Sequence, residues 1–245
     1  SHPQPNRLRC VLGLGAKNPA IVLADADLAK AAPECLRGAL TFNGQRCTAL
    51  KILFVERRIA DEFAGLVAAE VAALRAGMPF EDKVALTPLP EDGAVEKMRG
   101  LVEDAVANGA RVINPDGGAI DRTYFHPAVL YPVTAAMEIF HREQFGPVVP
   151  IAVFDDFDEI VEWFAASHYG QQASLFTTDP KRAGALIDRL ANQVCRTNVN
   201  SQCRRGPDSY PFGGRKDSAE GTLSITDALR VFSIRSVVAA QENHE

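Results

Sequence analysis

The chain has 245 residues, of which 47% are hydrophobic and 23% charged, and its formal net charge at pH 7 is −5. These values are ordinary for a soluble globular protein of one large or two small domains, and they argue against a nucleic-acid-binding surface. No stretch reaches the ~20 apolar residues that a membrane span requires, and the start lacks the apolar segment of a signal peptide.

Five cysteines are scattered along the chain, odd in number and without the spacing of a metal site: Cys10, Cys35, Cys47, Cys195 and Cys203. This usage predicts free thiols and no bound metal. It also favours a reducing compartment, cytoplasmic or organellar, over secretion.

Two short apolar segments, residues 9–14 and 20–23, resemble buried strands separated by a turn. Asp25 and Asp27 then predict the cap of a helix over residues 28–40. Further along, strands and helices alternate. The predicted strands lie at 51–55, 111–114, 125–131, 148–154, 173–177 and 194–198, and the predicted helices at 59–74, 93–108, 158–167 and 180–190.

This alternation predicts an α/β fold, with a parallel twisted sheet and helices on both faces. Residues 229–240 are rich in apolar side chains and show no following helix. They predict a C-terminal strand that adds to the sheet edge of a partner chain. We therefore expect a homo-oligomer or a subunit of a larger assembly.

The segment 42–49 contains the strongest signal for chemistry. It places Cys47 after the turn marked by Gly44, beside Arg46, and just before a predicted strand. A thiolate is the nucleophilic form of cysteine, and a neighbouring cation favours it. The alternative is a buried cysteine that packs as a small hydrophobe, and these residues alone favour that alternative.

Three further segments combine glycine or proline with polar residues: 14–19, 143–147 and 211–216. Each also has a plain structural interpretation. The first is a turn between strands, the second a turn before the strand at 148, and the third a glycine loop. Taken singly, none of them identifies a function.

Together, in this order and at these separations, the four segments resemble the aldehyde dehydrogenase superfamily over roughly residues 8–240. Residues 201–208 and 215–224 make the chain most similar to the branch of NADP-dependent, non-phosphorylating glyceraldehyde-3-phosphate dehydrogenases. The resemblance implies oxidation of an aldehyde, such as glyceraldehyde 3-phosphate, to the acid with NADP or NAD. It also implies a catalytic thiol domain over 17–226, the end of a nucleotide-binding domain at 1–16, and an oligomerisation strand and tail at 227–245.

The resemblance assigns the covalent chemistry to Cys47. Its thiolate would attack the aldehyde to form a thiohemiacetal, and hydride transfer would leave a thioester that water cleaves. Its backbone N–H would supply half of the oxyanion hole. Glu143 matches the residue that holds the nicotinamide ribose, and Phe145 packs beside it.

The resemblance also assigns the substrate contacts. Arg46 and Arg205 match positions that bind the substrate phosphate, a role that suits the guanidinium fork. Phe212 matches an aromatic wall of the aldehyde tunnel. Asn198 closes a strand near the same pocket, where a turn-stabilising role is an equally good interpretation.

The chain departs from the family pattern in two respects. Family members carry a nucleotide-binding domain before residue 14, whereas this sequence has no G-x-G-x-x-G segment and lacks the asparagine that completes the oxyanion hole. The family's general base is a glutamate at the position of Gly13, or of Gly15 in some relatives. Glycine cannot activate water, so thioester hydrolysis should be impaired.

Three hypotheses follow from this pattern. The first is the catalytic and oligomerisation portion of a truncated aldehyde dehydrogenase, with little or no turnover in isolation. The second is a catalytically degenerate remnant that serves as a structural or interaction subunit of a larger assembly. The third is a thiol-dependent binder whose Cys47 forms adducts with aldehydes or acyl groups and does not release them.

Overall fold

The computed structural model describes residue 3 and residues 10–241. The helices of this part of the chain are α1 (Leu28–Leu40), α2 (Ala60–Ala72), α3 (Ala94–Ala107), α4 (Glu138–His141), α5 (Phe157–Ala166), α6 (Pro180–Leu190) and α7 (Ile225–Val231). The strands are β1 (Leu12–Gly13), β2 (Asn18–Val22), β3 (Leu50–Glu56), β4 (Arg111–Val112), β5 (Ile120–Asp121), β6 (Tyr124–Phe125), β7 (Ala128–Val133), β8 (Val148–Phe154), β9 (Tyr169–Gly170), β10 (Gln172–Phe176), β11 (Arg196–Val199), β12 (Arg215–Lys216) and β13 (Ala219–Glu220). Two 3-10 turns, Thr41–Gly44 and Arg57–Ile59, flank β3.

A seven-stranded sheet forms the centre of the fold, in the order β11-β10-β2-β3-β8-β7-β4. Neighbouring strands run parallel except for β4, which pairs antiparallel with β7. β2 is buried at all five of its positions, as expected of a parallel strand covered on both faces. The predicted α/β fold is therefore confirmed.

Helices cover both faces of this sheet. Leu53 and Val55 of β3 pack on one side with α1 and α2, whereas Ile52 and Phe54 pack on the other side with α5 and α6. Successive residues of a strand point to opposite faces, so one buried strand serves both cores. A third cluster packs α3 against β7. None of the helices in the described part of the chain is long and apolar enough to cross a membrane.

The predicted capping of α1 by Asp25 is wrong. The Asp25 carboxylate accepts hydrogen bonds from Thr177 Oγ1 at 2.6 Å and from the Thr178 amide at 2.9 Å, so it ties the end of β2 to the start of α6. Asp27 does occupy the N-cap of α1, and its carboxylate pairs with Lys30 at 2.8 Å. Asp25 was assigned to α1 because it lies just before that helix in the sequence. The parallel pairing of β2 with β10 instead places Asp25 at the start of α6.

The predicted buried strand at 9–14 is also wrong. Residue 9 lies outside the described residues, and only β1 pairs, antiparallel with β13. Leu12 and Leu14 are 43% and 45% exposed. A two-residue ladder away from the central sheet leaves these apolar side chains uncovered. The predicted strand at 125–131 is divided between β6 and β7, which belong to different sheets, whereas the other predicted elements up to residue 199 are confirmed with small shifts at their ends.

The C-terminal segment differs from the predicted strand at 229–240. Its first residues complete α7. Ser224 is the N-cap of this helix, and its side-chain oxygen accepts a hydrogen bond from the Asp227 amide at 3.1 Å. Residues 232–241 pair with no strand of the described chain. Phe232, Ile234 and Val238 are at least 77% exposed. A strand is stable only with a paired neighbour, so its addition to a partner's sheet stays a prediction.

Candidate active site

Cys47 lies half-buried in the loop that connects the Thr41–Gly44 turn to β3. In the preceding turn, three consecutive residues adopt the left-handed conformation: Phe42, Asn43 and Gly44, with φ of 57°, 57° and 72°. This region is costly for residues with a Cβ and is typical of functional loops held by their surroundings. Asn43 supplies part of that hold, because it donates to Thr87 Oγ1 and accepts from the Thr87 amide, each at 3.0 Å.

Gly44 brings this loop into direct contact with two other segments. A Cβ added to Gly44 would lie 2.7 Å from the carbonyl oxygen of Gly146 and 2.8 Å from that of Ala39. Both distances are too short for a real contact. Only glycine therefore allows the loop of Cys47 to pass between the end of α1 and the segment 143–147.

We expect Gly44→Ala to lower the free energy of unfolding by about 2–4 kcal/mol, since it combines an unfavourable positive φ with two backbone clashes. Urea denaturation followed by circular dichroism measures this change. Gly100→Ala is the matched control, because an added Cβ there meets nothing within 4 Å in the interior of α3. The control should gain about 0.5–1 kcal/mol. Equal effects of the two substitutions would contradict the close approach at Gly44.

Asn18, the first residue of β2, anchors the backbone of Cys47. Its Nδ2 donates to the Cys47 carbonyl at 2.8 Å and to the Ala49 carbonyl at 3.1 Å, while its Oδ1 accepts from the Gln172 amide at 3.0 Å. One buried amide thus links the loop to the neighbouring strand β10. From the sequence, Asn18 was predicted only as part of a turn, although an asparagine that opens an apolar strand was a visible signal.

Lys51 lies in β3, four residues after Cys47, and its side chain is 1% exposed. Its Nζ donates to the carbonyls of Gly44 and Gln144 at 2.7 and 2.8 Å. It also lies 3.8 Å from Glu143 Oε1 and 4.6 Å from the centre of the Phe145 ring. Burial lowers the pKa of Lys51 to about 8, although the negative charge of Glu143 opposes this change.

A second buried lysine, Lys17, supports the same region. Its Nζ donates to the Ile139 carbonyl at 2.6 Å and to Gln144 Oε1 at 2.7 Å, while Gln144 Nε2 donates to the carbonyls of Lys51 and Val148. Burial, with the nearby charge of Lys51, holds the pKa of Lys17 well below its usual value. Sequence reasoning missed both lysines as site residues. Their placement in or beside apolar strands was the signal.

Glu143 and Phe145 both lie beside Lys51. Burial raises the pKa of Glu143, while the charge of Lys51 opposes that rise. Glu143 Oε1 is buried and accepts no hydrogen bond from the described residues. Phe145 is 41% exposed. An unsatisfied carboxylate oxygen beside an exposed ring fits a hydroxyl-bearing ligand, such as the ribose of a nicotinamide cofactor.

The two glycines at the expected base positions differ in their surroundings. Gly13 lies in the exposed strand β1, and a Cβ added there would have Leu223 Cδ1 as its nearest neighbour, at 4.0 Å. A Cβ added to Gly15 would lie 3.0 Å from Glu143 Oε2 and 3.0 Å from Tyr169 Cε1. Position 13 is therefore open, whereas neighbouring side chains already fill position 15.

Arg46 is adjacent to Cys47 and packs over Phe42, with its guanidinium carbon 5.6 Å from the ring centre. Its Nη2 donates to the Gly38 carbonyl at 3.4 Å. Its Nε is buried and has no hydrogen-bond partner in the described part of the chain. Arg46 therefore has donor capacity left for an anionic ligand.

Arg205 and Phe212 form a second group. The Arg205 guanidinium lies 4.5 Å from the Phe212 ring centre, and its Nη1 is 3.8 Å from Asp208. Asn198, in β11, donates from Nδ2 to Gln172 Oε1 and to the Ala173 carbonyl, each at 3.1 Å. These bonds give Asn198 a role within the sheet. Its predicted contact with substrate stays a prediction.

Comparison with known proteins places this geometry in a family. The model of the aldehyde dehydrogenase family matches residues 2–238. The NADP-dependent glyceraldehyde-3-phosphate dehydrogenase of Streptococcus equinus is 35% identical over 232 residues, which cover 93% of this chain and 47% of that protein. The vanillin dehydrogenase of Pseudomonas fluorescens is 34% identical over 223 residues, which cover 91% of this chain and 45% of that protein.

Solved structures agree with the sequence comparison. The NADP-dependent glyceraldehyde-3-phosphate dehydrogenase of Bacillus halodurans C-125, complexed with NADP, is 39% identical with a TM-score of 0.85, covering 89% of this chain and 45% of that one. The lactaldehyde dehydrogenase of Escherichia coli is 29% identical with a TM-score of 0.85, and the match covers 93% of this chain and 47% of that one. The chain spans about half the length of the curated relatives it matches. It belongs to the aldehyde dehydrogenase family.

Proposed function

We propose that this chain carries the catalytic thiol of an NADP-dependent dehydrogenase that oxidises a phosphorylated aldehyde, such as glyceraldehyde 3-phosphate, to the acid. The observation that carries this proposal is the setting of Cys47. Asn18 holds the carbonyl of Cys47 and Lys51 holds the loop before it, while Arg46 and Lys51 supply positive charge near the sulfur. Nearby cations favour the reactive thiolate.

The covalent steps belong to Cys47. The Sγ thiolate adds to the aldehyde carbon, and the C=O π electrons move to oxygen, giving a thiohemiacetal. The Cys47 backbone N–H is the proposed donor to that oxyanion, where one such donor is worth roughly 3 kcal/mol. Loss of hydride from the same carbon leaves a thioester. Water then adds, and the acid departs as the thiolate re-forms.

Glu143 and Phe145 are the residues of this chain that would hold the cofactor. The unpaired Oε1 of Glu143 would accept a hydrogen bond from a ribose hydroxyl, and the exposed face of Phe145 would pack against the same group. NADP, when bound, accepts the hydride. The names of similar proteins support NADP, and the Bacillus halodurans structure was solved in complex with it.

The substrate phosphate is assigned to Arg46 and Arg205. Arg46 is next to the nucleophile and keeps an unpaired buried Nε, while Arg205 is 44% exposed and only loosely paired with Asp208. Guanidinium groups bind phosphate through paired, charge-assisted hydrogen bonds. The names of several similar proteins, which specify glyceraldehyde 3-phosphate, support this class of substrate.

The glycines at the two positions expected to hold the general base favour a second function, in which Cys47 is acylated but the acyl group is released slowly. Neither Gly13 nor Gly15 supplies a carboxylate, and side chains already surround position 15. Such a site would form the thioester and release it slowly, because general-base catalysis typically contributes about 100- to 10,000-fold. The chain would then act as an acyl or aldehyde acceptor at Cys47. A structural role in a larger assembly is the remaining alternative.

Protection of Cys47 from alkylation tests the substrate assignment. Glyceraldehyde 3-phosphate should protect Cys47 from iodoacetamide at a concentration about 10- to 100-fold lower than glyceraldehyde, because the phosphate adds charge-assisted hydrogen bonds. Peptide mass spectrometry measures the modified fraction. Arg205→Gln should remove most of this preference, whereas Arg189→Gln, on the exposed surface of α6, should keep it. Equal protection by the two aldehydes would refute the phosphate assignment.

A further inference from the structure

We propose that Lys51 is a positioning residue that holds the loop of the nucleophile and the cofactor-binding segment in one fixed arrangement. The inference rests on the proposed function, since it gives Lys51 a role in bringing Cys47 and Glu143 into register. Lys51 itself contacts neither the substrate nor the reacting atoms in this mechanism. It acts through the backbone of the residues that do.

The hydrogen bonds of Lys51 divide evenly between the two segments. One N–H of the ammonium donates to the carbonyl of Gly44, three residues before Cys47, and another donates to the carbonyl of Gln144, which directly follows Glu143. An ammonium group has three donors and no acceptor. One donor therefore remains after these two bonds, and Glu143 Oε1 lies 3.8 Å from the same nitrogen.

The two segments already touch at this point. Gly44 passes so close to Gly146 that an added Cβ would lie 2.7 Å from the Gly146 carbonyl oxygen. Lys51 therefore crosslinks two backbones that are in van der Waals contact, from a side chain that is itself 1% exposed. In a buried setting such hydrogen bonds are strong, and leaving either carbonyl unpaired is costly.

The proposal separates Lys51 from its buried neighbour Lys17. Both lysines are 1% exposed and both contact Gln144. The Lys17 ammonium donates to the carbonyl of Ile139 and the side chain of Gln144, so its hydrogen bonds lie on the cofactor-binding side. Only Lys51 donates to the nucleophile loop as well. Lys17→Met is therefore a control that matches burial and charge but not the crosslink.

Hydrogen exchange and alkylation of the whole chain, without substrate or cofactor, test the proposal. In Lys51→Met we expect the amides of residues 44–47 and of 143–146 to exchange about tenfold faster, since a backbone carbonyl in each segment loses its hydrogen bond to the ammonium. Alkylation of Cys47 by iodoacetamide at pH 7.5 should slow about 3- to 10-fold as the nearby cation is lost. Lys51→Arg should keep the alkylation rate within about twofold, because it retains the charge. Lys17→Met should speed exchange only at 139–146.

Several outcomes would overturn the proposal. Faster exchange at 44–47 alone in Lys51→Met would show that Lys51 does not hold the second segment. If Lys17→Met speeds exchange at 44–47 as much as Lys51→Met does, the effect comes from general loss of packing and not from the crosslink. Lys51→Gln, which keeps two N–H donors without the charge, is measured in parallel in case the methionine variant does not fold. No exchange change at 143–146 in Lys51→Gln would also refute the crosslink. Failure of aldehydes to protect Cys47 would instead refute the proposed function.

Discussion

Cys47→Ala is expected to abolish acylation of the protein by an activated ester such as p-nitrophenyl acetate. We expect the rate of site-specific acylation to fall by roughly 1000-fold or more, as for removal of other catalytic nucleophiles. The ester forms the same kind of thioester that aldehyde oxidation would leave on Cys47, and it needs no cofactor. Release of p-nitrophenolate measures the rate, and intact-mass spectrometry measures the acetyl adduct.

Cys195→Ala is the control for this prediction. Cys195 is an exposed thiol, so it is open to non-specific acylation. Its removal should leave the stoichiometric acetyl group on Cys47 in place. An acetyl group found mainly on Cys195 in the unaltered protein would contradict the assignment of Cys47 as the nucleophile. The buried Cys35 and Cys203 should remain unmodified, since burial raises the pKa of both thiols.

Gly13→Glu is expected to accelerate hydrolysis of the acetyl-Cys47 thioester by about 100-fold or more, the usual size of general-base catalysis. Position 13 is where the resemblance to the family places the general base. The site is open, because the nearest neighbour of an added Cβ is Leu223 Cδ1 at 4.0 Å. Loss of the acetyl mass from pre-acylated protein over time measures the rate directly, separately from the acylation step.

Gly15→Glu provides the matched comparison. An added Cβ at Gly15 meets Glu143 Oε2 and Tyr169 Cε1, each at 3.0 Å, so one of these side chains must move. The second carboxylate would also lie beside the first, and like charges at that distance repel. We expect no gain in hydrolysis and a loss of stability. A faster deacylation from Gly15→Glu than from Gly13→Glu would show that the base position has been assigned to the wrong glycine.

Much of the fold was predictable, because hydrophobic periodicity and cap residues act locally. The helix at 180–190 was predicted with its observed bounds, since Asp179 and Pro180 form a standard helix start. The strands around β3 and β8 were predictable because parallel strands buried on both faces are continuous apolar runs. The structure of residues 229–240 was not predictable, because a strand depends on a pairing partner that its own residues do not specify.

The candidate site was predictable only where residue type and order carry the signal. Cys47, Arg46, Glu143 and Phe145 were identified through motifs, and the structure gathers them around Lys51. A polar residue in or beside an apolar strand marks Asn18, Lys17 and Lys51 in the sequence, but their hydrogen-bond partners were not predictable. Lys51 lies 93 residues from Gln144 in sequence, and only the parallel pairing of β3 with β8 brings them together. Burial of a lysine in an apolar strand is unfavourable unless its ammonium has hydrogen-bond acceptors, and the sequence does not show which residues supply them.

The sequence by itself therefore determined the family and the absence of a carboxylate at positions 13 and 15, and it pointed to Cys47 as the proposed nucleophile. These are properties of residue identity and order. Only the tertiary structure decided how Cys47 is held, which of positions 13 and 15 has room for a side chain, and where Asp25 and the described C-terminal residues lie. Those properties depend on contacts between residues far apart in the chain, and pairing of parallel strands sets such contacts in a way that no local pattern records.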